Sequence, residues 1–173
     1  MTLDQLRGLI RDVPDFPKPG IIFKDITPLL EHPAGFHETI ERLAQGAEAY
    51  RAEHILAIES RGFIFGAALA HRLGMPMHLV RKRGKLPRES VSIRYELEYG
   101  FDHLEVHADS IRPSERYLIV DDLIATGGTA AAAGSLVRQQ GGVVAGFAFV
   151  VELTFLAGRE ALGDAPVCAL IDY

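Results

Sequence analysis

Residues 120–129 read Val120-Asp121-Asp122-Leu123-Ile124-Ala125-Thr126-Gly127-Gly128-Thr129, and this stretch decides the fold. It follows a short apolar run at residues 117–120 and precedes an alanine-rich segment, residues 130–140, which ends at Gly141-Gly142. This order predicts a buried strand, a tight loop and a helix, with two carboxylates where the strand ends. In an open α/β sheet, ligands bind outside the carboxyl ends of the strands, so this loop is the first candidate for a binding site.

The loop has the chemistry of an anion site. The first turn of a helix presents unpaired N–H groups and a partial positive charge, and glycines let the backbone approach a ligand closely. Thr126 and Thr129 add hydroxyl donors. The stretch therefore predicts a phosphate site, with Asp121 and Asp122 facing the attached sugar or reaching a metal. A Walker-type loop and a dinucleotide fingerprint are both absent from the sequence, and a simply capped helix after a buried strand is the alternative.

Strands and helices alternate along most of the remaining chain. The apolar spacing predicts a first helix that Thr2 caps and that ends before Pro14, and three prolines in residues 14–20 exclude a helix or a central strand there. Further helices are expected at residues 33–51, 63–73 and 154–162, and further strands at residues 54–58, 76–80, 104–107, 143–151 and 167–171. This alternation predicts an α/β fold with a Rossmann-like, mostly parallel sheet flanked by helices.

The composition is that of an ordinary globular chain. Its 173 residues, 48% of them apolar and 24% charged, are expected to form a single domain. The net charge of −5 argues against a nucleic-acid partner, and the longest apolar run, nine residues at 143–151, is too short to cross a membrane. The one cysteine, Cys168, is interpreted as a core residue of a cytoplasmic protein. His103 and His107, with no third ligand near them, are interpreted as surface residues rather than a metal site.

Two other segments carry charges that suit a polyanion. Glu59-Ser60-Arg61-Gly62 follows a predicted strand, and the rigid fork of the Arg61 guanidinium matches phosphate oxygens. The alternative there is a helix entry capped by Ser60. Residues 81–100 hold six of the 18 lysines and arginines together with two glycines. They are interpreted as a flexible lid that closes over the substrate, with a solvated surface loop as the alternative.

Together these segments resemble the type I phosphoribosyltransferase family. The stretch at residues 120–129 is similar to the motif that binds phosphoribosyl diphosphate in that family. Three further blocks are similar to its adenine-specific branch: Ser60-Arg61-Gly62-Phe63, residues 81–87 with Tyr95-Glu96-Leu97-Glu98-Tyr99-Gly100, and residues 16–28. The resemblance implies transfer of a phosphoribosyl group to adenine, giving AMP and diphosphate in purine salvage. It also implies Mg²⁺ as cofactor, a homodimer, a small hood at about residues 1–33 and a flexible catalytic loop at about residues 81–100.

The resemblance also implies a role for individual residues. The 5′-phosphate and ribose would be bound by Asp121, Asp122, Ala125, Thr126, Gly127, Gly128 and Thr129. The diphosphate would be bound by Ser60, Arg61, Gly62, Arg81 and Lys85. Adenine would be bound by the backbone of Ile22 and Lys24 and between the side chains of Phe23 and Leu153; many family members have arginine at the position of Lys24. The catalytic residues would be Glu98, Arg61 and Lys85, with Glu98 near the imidazole edge of the purine and Tyr99 closing over the site. Mg²⁺ would be held mainly by the substrate and water, near Asp121 and Asp122.

Two other functions are consistent with part of the pattern. The near alternative is a phosphoribosyltransferase for another purine, such as guanine, hypoxanthine or xanthine, although residues 95–100 would not be expected in those branches. The far alternative is a non-catalytic regulator that senses phosphoribosyl diphosphate and binds nucleic acid. Against it, the basic cluster of this chain lies in the proposed lid.

Overall fold

The structure, a computed structural model, describes residues 1–96 and 100–173. These residues form two compact units, Met1–Arg42 and Leu43–Tyr173, with the division falling inside one helix. The single-domain organisation expected from the sequence stays a prediction. Glu98 and Tyr99, two residues with expected roles, lie outside the described residues.

The first unit contains a short helix and a two-stranded ribbon. Helix α1, Leu3–Arg7, begins at Thr2, whose side chain accepts from the backbone of Gln5 in a capping box. The expected continuation of this helix to residue 13 is wrong, because strand β1, Arg11–Pro14, pairs antiparallel with β2, Ile22–Asp25. Pairing of this ribbon satisfies the backbone groups that a longer helix would have used. Pro14 lies at the end of β1, as the lack of an N–H requires.

Helices connect this ribbon to the main sheet along the chain. Helix α2 covers Thr27–Leu30, with Pro28 in its first turn, and α3 covers Pro33–Ala47. A 3₁₀ helix, Glu48–Tyr50, follows, so the expected helix at residues 33–51 is confirmed apart from its last residue.

The second unit is built on a seven-stranded sheet. Its strands and helices are β3 His54–Ile58, α4 Gly62–Leu73, β4 Met77–Lys82, β5 Ser90–Glu96, β6 Phe101–His107, β7 Arg116–Ile124, α5 Gly128–Gln139, β8 Val143–Glu152 and β9 Val167–Asp172. The strand order is β5-β6-β4-β3-β7-β8-β9. Strands β4, β3, β7, β8 and β9 run parallel, and β5 and β6 add an antiparallel pair at one edge. The expected α/β fold with a mostly parallel sheet is confirmed.

The core lies between the sheet and its helices. All four residues from Ile55 to Ile58 are fully buried, as expected for a parallel strand covered on both faces. On α4, Gly66 lies so close to β3 that an added Cβ would come within 2.5 Å of the Ala57 Cβ. On α5, an added Cβ at Gly134 would be 3.3 Å from the Phe147 ring. Small residues on α4 and α5 therefore allow both helices to pack closely on the strands.

The segment expected as a flexible loop is partly regular structure. Arg81 and Lys82 are the last residues of β4, and residues 90–96 form β5, which pairs with β6 along its whole length. Val91, Ile93 and Tyr95 are packed against the core, and the residues between them are exposed. This period-two alternation is typical of a half-buried strand. The high density of basic residues obscured it in the sequence.

The boundaries of β7 and its neighbours also differ from expectation. Strand β7 does not end before the two aspartates but continues to Ile124, because β8 pairs with it up to Ile124 and Glu152. Its pairing with β3 stops earlier, at Ala57 and Val120. The helix expected at residues 154–162 consists of two 3₁₀ helices, Thr154–Leu156 and Gly158–Leu162, separated by Ala157 in the left-handed region. The two aspartates therefore lie on a strand that extends past its neighbour β3.

In residues 1–96 and 100–173, no helix combines the length and the apolar character needed to cross a membrane.

A polar cluster joins β3, β4 and β7 near their amino ends. His54 Nδ1 and His78 Nε2 are 3.0 Å apart, and His54 Nε2 lies 2.7 Å from Oε2 of Glu115. The ring of Tyr117 stacks on His54 with centroids 4.7 Å apart. Because a carboxylate only accepts, neutral His54 donates from Nε2 to Glu115 and accepts at Nδ1 from His78. If both rings were cationic, two N–H groups would face each other.

The free energy of unfolding is expected to fall as the pH is lowered from about 7.5 to about 5.5. Burial, together with the charges of His54 and Arg112, holds the pKa of His78 below its ordinary value, and Glu115 only partly opposes this. The unfolded chain therefore binds a proton on this residue more readily than the folded chain. The resulting loss of stability begins as the pH falls through the ordinary histidine value of about 6.5. Urea unfolding at several pH values across this range gives the free energy of unfolding as a function of pH. This free energy should change less steeply with pH for His78→Gln than for the wild type. His71→Gln, on the exposed face of α4, is the control, and equal slopes for all three proteins would contradict the prediction.

Candidate active site

The two aspartates of β7 lie at the carboxyl end of the sheet. The Asp122 backbone N–H donates to Asp121 Oδ1 at 2.8 Å. Asp122 is buried, at 4% exposure, and its Oδ2 lies 2.9 Å from Nε of Arg61. Among the described residues, this Oδ2 has no hydrogen-bond donor in good geometry, so the contact with Arg61 is an ion pair. Arg61 and Asp122 therefore form one electrostatic unit that joins two predicted parts of the site.

Burial raises the pKa of both carboxyl groups above the ordinary aspartate value. For Asp121 the negative charge of Asp122 adds to the effect of burial, and the pKa lies well above its usual range. For Asp122 burial is again the main cause, and the Arg61 guanidinium opposes it. A hydrogen-bond donor or a cation placed against these oxygens would favour their charged forms. The pair is thus prepared for a ligand that carries hydroxyl groups or positive charge.

The loop after β7 surrounds a small cavity of about 110 Å³, lined by Asp121 and residues 123–130. Gly127 caps α5 in the left-handed region, with φ of 82°. An L-residue with a side chain rarely adopts that conformation. Gly127 also lacks the space for a side chain, because an added Cβ would overlap the carbonyl oxygen of Gly158. The cavity therefore lies at the N-terminal turn of a helix, where backbone N–H groups bind anions.

The β3–α4 turn lies beside the end of β7. Its Glu59–Ser60 peptide bond is cis, and Arg61 is the residue at the N-terminus of α4. An added Cβ at Gly62 would be 2.8 Å from Asp121 Oδ1 and 2.9 Å from the Val120 carbonyl oxygen. The structure thus brings Ser60, Arg61 and Gly62 next to the aspartate pair. Only glycine at position 62 allows the turn to approach this closely.

Arg81, expected near the diphosphate, is tied to an acidic residue. Its Nε donates to Glu59 Oε2 at 3.2 Å, and its Nη1 donates to the carbonyl of Lys85 at 3.2 Å. The Lys82 backbone N–H donates to the same Glu59 oxygen at 2.9 Å. Burial works to raise the pKa of Glu59, but the bonds from Lys82 and Arg81 outweigh it and hold the pKa below its ordinary value. Sequence reasoning assigned no role to Glu59, although an acid directly after β3 and a base at the end of β4 were both visible.

The end of β5 approaches the loop around the cavity. The Thr129 hydroxyl donates to the Tyr95 hydroxyl oxygen at 3.4 Å. The Glu96 carbonyl oxygen lies 3.5 Å from the position that a Cβ on Gly128 would take. Burial is the main cause of a raised pKa for Tyr95. The contact between Tyr95 and Thr129 was not predicted, because it depends on the register of β5 against β6.

The residues expected to bind adenine lie in both units. In the second unit, Leu153 follows β8 and donates its backbone N–H to Ile124 at 3.0 Å. In the first unit, Ile22 is 55% exposed, and the ring of Phe23 meets that of Phe16 edge to face at 5.2 Å between centroids. Leu153 therefore lies directly after the end of β8, and Ile22 and Phe23 are the first two residues of β2.

Lys24 differs from its neighbours because its side chain is buried, at 8% exposure. Its Nζ lies 2.6 Å from Asp12 Oδ1, across the β1–β2 ribbon. The ammonium group therefore neutralises an acid within its own unit. A side-chain contact with a ligand would have to compete with that ion pair.

Comparison with known proteins identifies the family of the chain. A family model described as a phosphoribosyl transferase domain matches residues 26–161. The chain is 54% identical to the adenine phosphoribosyltransferase of Thermosynechococcus vestitus, over 97% of this chain and 99% of that protein. The chain belongs to the adenine phosphoribosyltransferase family. The resemblance seen in the sequence is thereby confirmed.

Solved structures of this family share the fold of the chain. Adenine phosphoribosyltransferase from Thermoanaerobacter pseudethanolicus is 50% identical, with a TM-score of 0.97 over 99% of this chain and 100% of that one. The Saccharomyces cerevisiae family member, solved with an imino-altritol bisphosphate and adenine, is 42% identical, with a TM-score of 0.92 over 97% of both chains. The similarity to these family members therefore extends over nearly the full length of the chain.

Proposed function

We propose that this chain transfers the phosphoribosyl group of phosphoribosyl diphosphate to adenine, releasing AMP and diphosphate, and so acts as a pentosyltransferase of purine salvage. The observation that carries the proposal is the placement of the cavity at α5, the Asp121–Asp122 pair and Arg61 at the carboxyl end of the sheet. Together they would offer sites for a phosphate, a ribose and a second anionic group side by side. Membership of the adenine phosphoribosyltransferase family supports the proposal that these three groups belong to one substrate.

The cavity at residues 125–129 is the proposed site of the 5′-phosphate. Backbone N–H groups of the first turn of α5, with the hydroxyls of Thr126 and Thr129, would donate to the phosphate oxygens. Asp121 and Asp122 would accept from the ribose hydroxyls. The buried Oδ2 of Asp122, which lacks a well-aligned donor within residues 1–96 and 100–173, supports this role.

The diphosphate is proposed to bind at the β3–α4 turn. Arg61, with the backbone of Ser60 and Gly62, would hold its oxygens, and Arg81 and Lys85 would add positive charge as it leaves. The exposed Lys85 side chain is available to move, whereas Arg81 would have to share its guanidinium with Glu59. Charge stabilisation of this kind lowers the barrier to breaking the bond between the anomeric carbon and the diphosphate oxygen.

Mg²⁺ is the proposed cofactor. The described residues contain no group of three or more histidine, cysteine or acidic side chains that could hold a metal ion. The Asp121–Asp122 pair at the carboxyl end of the sheet fits Mg²⁺ that takes most of its ligands from substrate oxygens and water. When bound, Mg²⁺ would supply positive charge that stabilises the departing diphosphate.

Adenine is proposed to lie between Phe23 and Leu153, with the backbone of Ile22 and Lys24 contacting the base edge. The ion pair of Lys24 with Asp12 supports a backbone contact rather than a side-chain contact at this position. A nitrogen of the adenine base attacks the anomeric carbon of the ribose as the diphosphate leaves. The ribose ring passes through an oxocarbenium-like state, which the negative charges of Asp121 and Asp122 favour. Glu98 is the proposed acceptor of the proton that the imidazole edge gives up.

The decisive experiment is incubation with phosphoribosyl diphosphate, Mg²⁺ and one purine at a time, with identification of the nucleotide formed. AMP from adenine, with little product from guanine, hypoxanthine or xanthine, is the expected result. If the protein forms a nucleotide from another purine instead, that purine and not adenine is its substrate. Tight binding of phosphoribosyl diphosphate without any nucleotide would favour the sensing regulator, which a salt-dependent DNA titration would then test.

Glu98→Gln is expected to lower kcat by about a hundredfold while changing the dissociation constant for phosphoribosyl diphosphate little. The amide keeps the size of the side chain but cannot take a proton. Single-turnover kinetics and calorimetric binding measure the two quantities separately. Glu96→Gln, two residues earlier on the exposed side of β5, is the control. Wild-type turnover in Glu98→Gln would rule out the assigned role.

A homodimer in the cytoplasm is the proposed state of the protein. Ile64 on α4 and Leu79 on β4 are each 39% exposed, and a second copy would cover such apolar side chains. Light scattering after size exclusion would test the dimer. The single cysteine is compatible with a reducing compartment.

A further inference from the structure

Two residues that the proposed mechanism does not use, Glu152 and Arg159, form an ion pair next to Ile124, one of the residues that line the cavity. Arg159 Nε donates to the two carboxylate oxygens of Glu152, at 2.7 and 2.9 Å. Its Nη1 donates to the carbonyl of Val167 on β9 at 3.2 Å. Glu152 is only 6% exposed and lies opposite Ile124 at the end of β7. Nη2 of Arg159 also donates to Oε2 of Glu152, so the buried carboxylate accepts from two guanidinium nitrogens. A contact of this kind is strong and directional.

The ion pair closes a loop whose two ends reach different parts of the proposed site. At the first end, Leu153, the residue after Glu152 and part of the proposed adenine site, donates its backbone N–H to the carbonyl oxygen of Ile124. At the second end, Gly158 precedes Arg159 and touches the loop of the cavity. An added Cβ at Gly158 would overlap the Ala125 carbonyl oxygen, and one at Gly127 would overlap the Gly158 carbonyl oxygen. The backbones at Gly158 and Gly127 are therefore in direct contact.

We propose that Arg159 is a positioning residue for the substrate phosphate: its bond to Glu152 holds Gly158 against the loop at residues 125–129 and so fixes the shape of the cavity. The inference rests on the proposed function, since it takes the cavity as the 5′-phosphate site. The cavity itself is lined by Asp121 and residues 123–130, so Arg159 acts on it through Gly158. Backbone N–H groups bind phosphate well only when the loop is held in place beforehand.

The test compares Arg159→Met and Arg159→Lys with the wild type, each well below its melting temperature. Arg159→Met is expected to raise the KM for phosphoribosyl diphosphate about tenfold and to change kcat by less than about threefold, because a small displacement of binding groups mainly affects affinity. Arg159→Lys, which keeps the charge but not the fork, should recover part of the loss. Calorimetric titration with phosphoribosyl diphosphate and Mg²⁺ gives the affinity without turnover. Arg112→Met, which removes an exposed arginine 3.6 Å from Glu115, is the matched control.

A lower melting temperature with an unchanged KM and dissociation constant for phosphoribosyl diphosphate would overturn the inference, since Arg159 would then only stabilise the fold. If Arg159→Met does not fold, Gly158→Ala decides the question. It keeps the ion pair but places a methyl group against the Ala125 carbonyl, and the same loss of affinity is expected. Unchanged affinity in Gly158→Ala would also overturn the inference. Failure of the proposed function shows separately, as a wild-type protein that makes no AMP from adenine.

Discussion

Replacing Arg61 by alanine is expected to raise the dissociation constant for phosphoribosyl diphosphate by about tenfold or more, the cost of losing a charge-assisted pair. The structure adds a second cause. The Nε of Arg61 lies 2.9 Å from Oδ2 of the buried Asp122, so its removal takes away a cation that favours the charged form of that carboxyl group. Burial already raises the pKa of Asp122, and the variant lacks the guanidinium that opposes this rise. Loss of the guanidinium therefore favours the protonated form of Asp122, which accepts hydrogen bonds from ribose less well.

Calorimetry with phosphoribosyl diphosphate and Mg²⁺ measures this effect. The dissociation constant of Arg61→Lys should lie between those of the wild type and Arg61→Ala, because lysine keeps the charge but not the rigid fork of the guanidinium. Arg138→Ala, which removes an exposed arginine near the end of α5, is the control and should bind normally. An unchanged dissociation constant in Arg61→Ala would remove Arg61 from the binding site.

Gly127→Ala is the second change with a large expected effect. It should weaken binding of phosphoribosyl diphosphate by roughly 10- to 100-fold, equivalent to about 1.4–2.8 kcal/mol. Alanine at a φ of 82° is strained, and its methyl group would overlap the Gly158 carbonyl oxygen. The loop must move to relieve both problems, and the N–H groups that line the cavity move with it.

Gly74→Ala separates these two causes. Gly74 also has a left-handed φ, 66°, but an added Cβ there meets no atom within 4 Å among the described residues. The control should therefore lose about 1 kcal/mol of stability and keep its affinity. Urea unfolding and calorimetry on both variants give the comparison. Equal affinities for Gly127→Ala and the wild type would show that the loop does not bind the phosphate.

The parallel part of the sheet could be predicted because each strand is a continuous apolar run between turn residues. Strand β3 has the bounds expected from the sequence, residues 54–58. The extension of β7 through Asp121 and Asp122 could not be predicted, because acidic residues are rare in strands and the pairing with β8 that stabilises them is not visible in the local sequence. Strand β5 was missed for a different reason, since its alternating apolar residues lie within a highly basic segment.

For the site, sequence reasoning was most informative where the residues are contiguous. The stretch at 59–62 is one turn, and the stretch at 120–129 is the end of one strand, a loop and the start of one helix. Their chemistry was therefore visible directly in the sequence. The contacts of Tyr95 with Thr129, Glu59 with Arg81, and Glu152 with Arg159 depend on strand register or loop geometry. No local pattern specifies those distances. The roles of Glu98 and Tyr99 stay predictions, because both lie outside the described residues.

The unequal lengths of β3 and β7 have a consequence for which changes in chain length the protein tolerates. Because β3 stops pairing at Ala57 while β7 continues, the turn at residues 59–62 places Arg61 level with Asp122. One residue inserted into this turn would shift the guanidinium by roughly 3 Å and separate the two charges. The turn around Gly163 has open space beside it, because an added Cβ there would meet no described atom within 4 Å. Insertions and deletions among relatives should therefore be excluded from the first turn and accepted in the second.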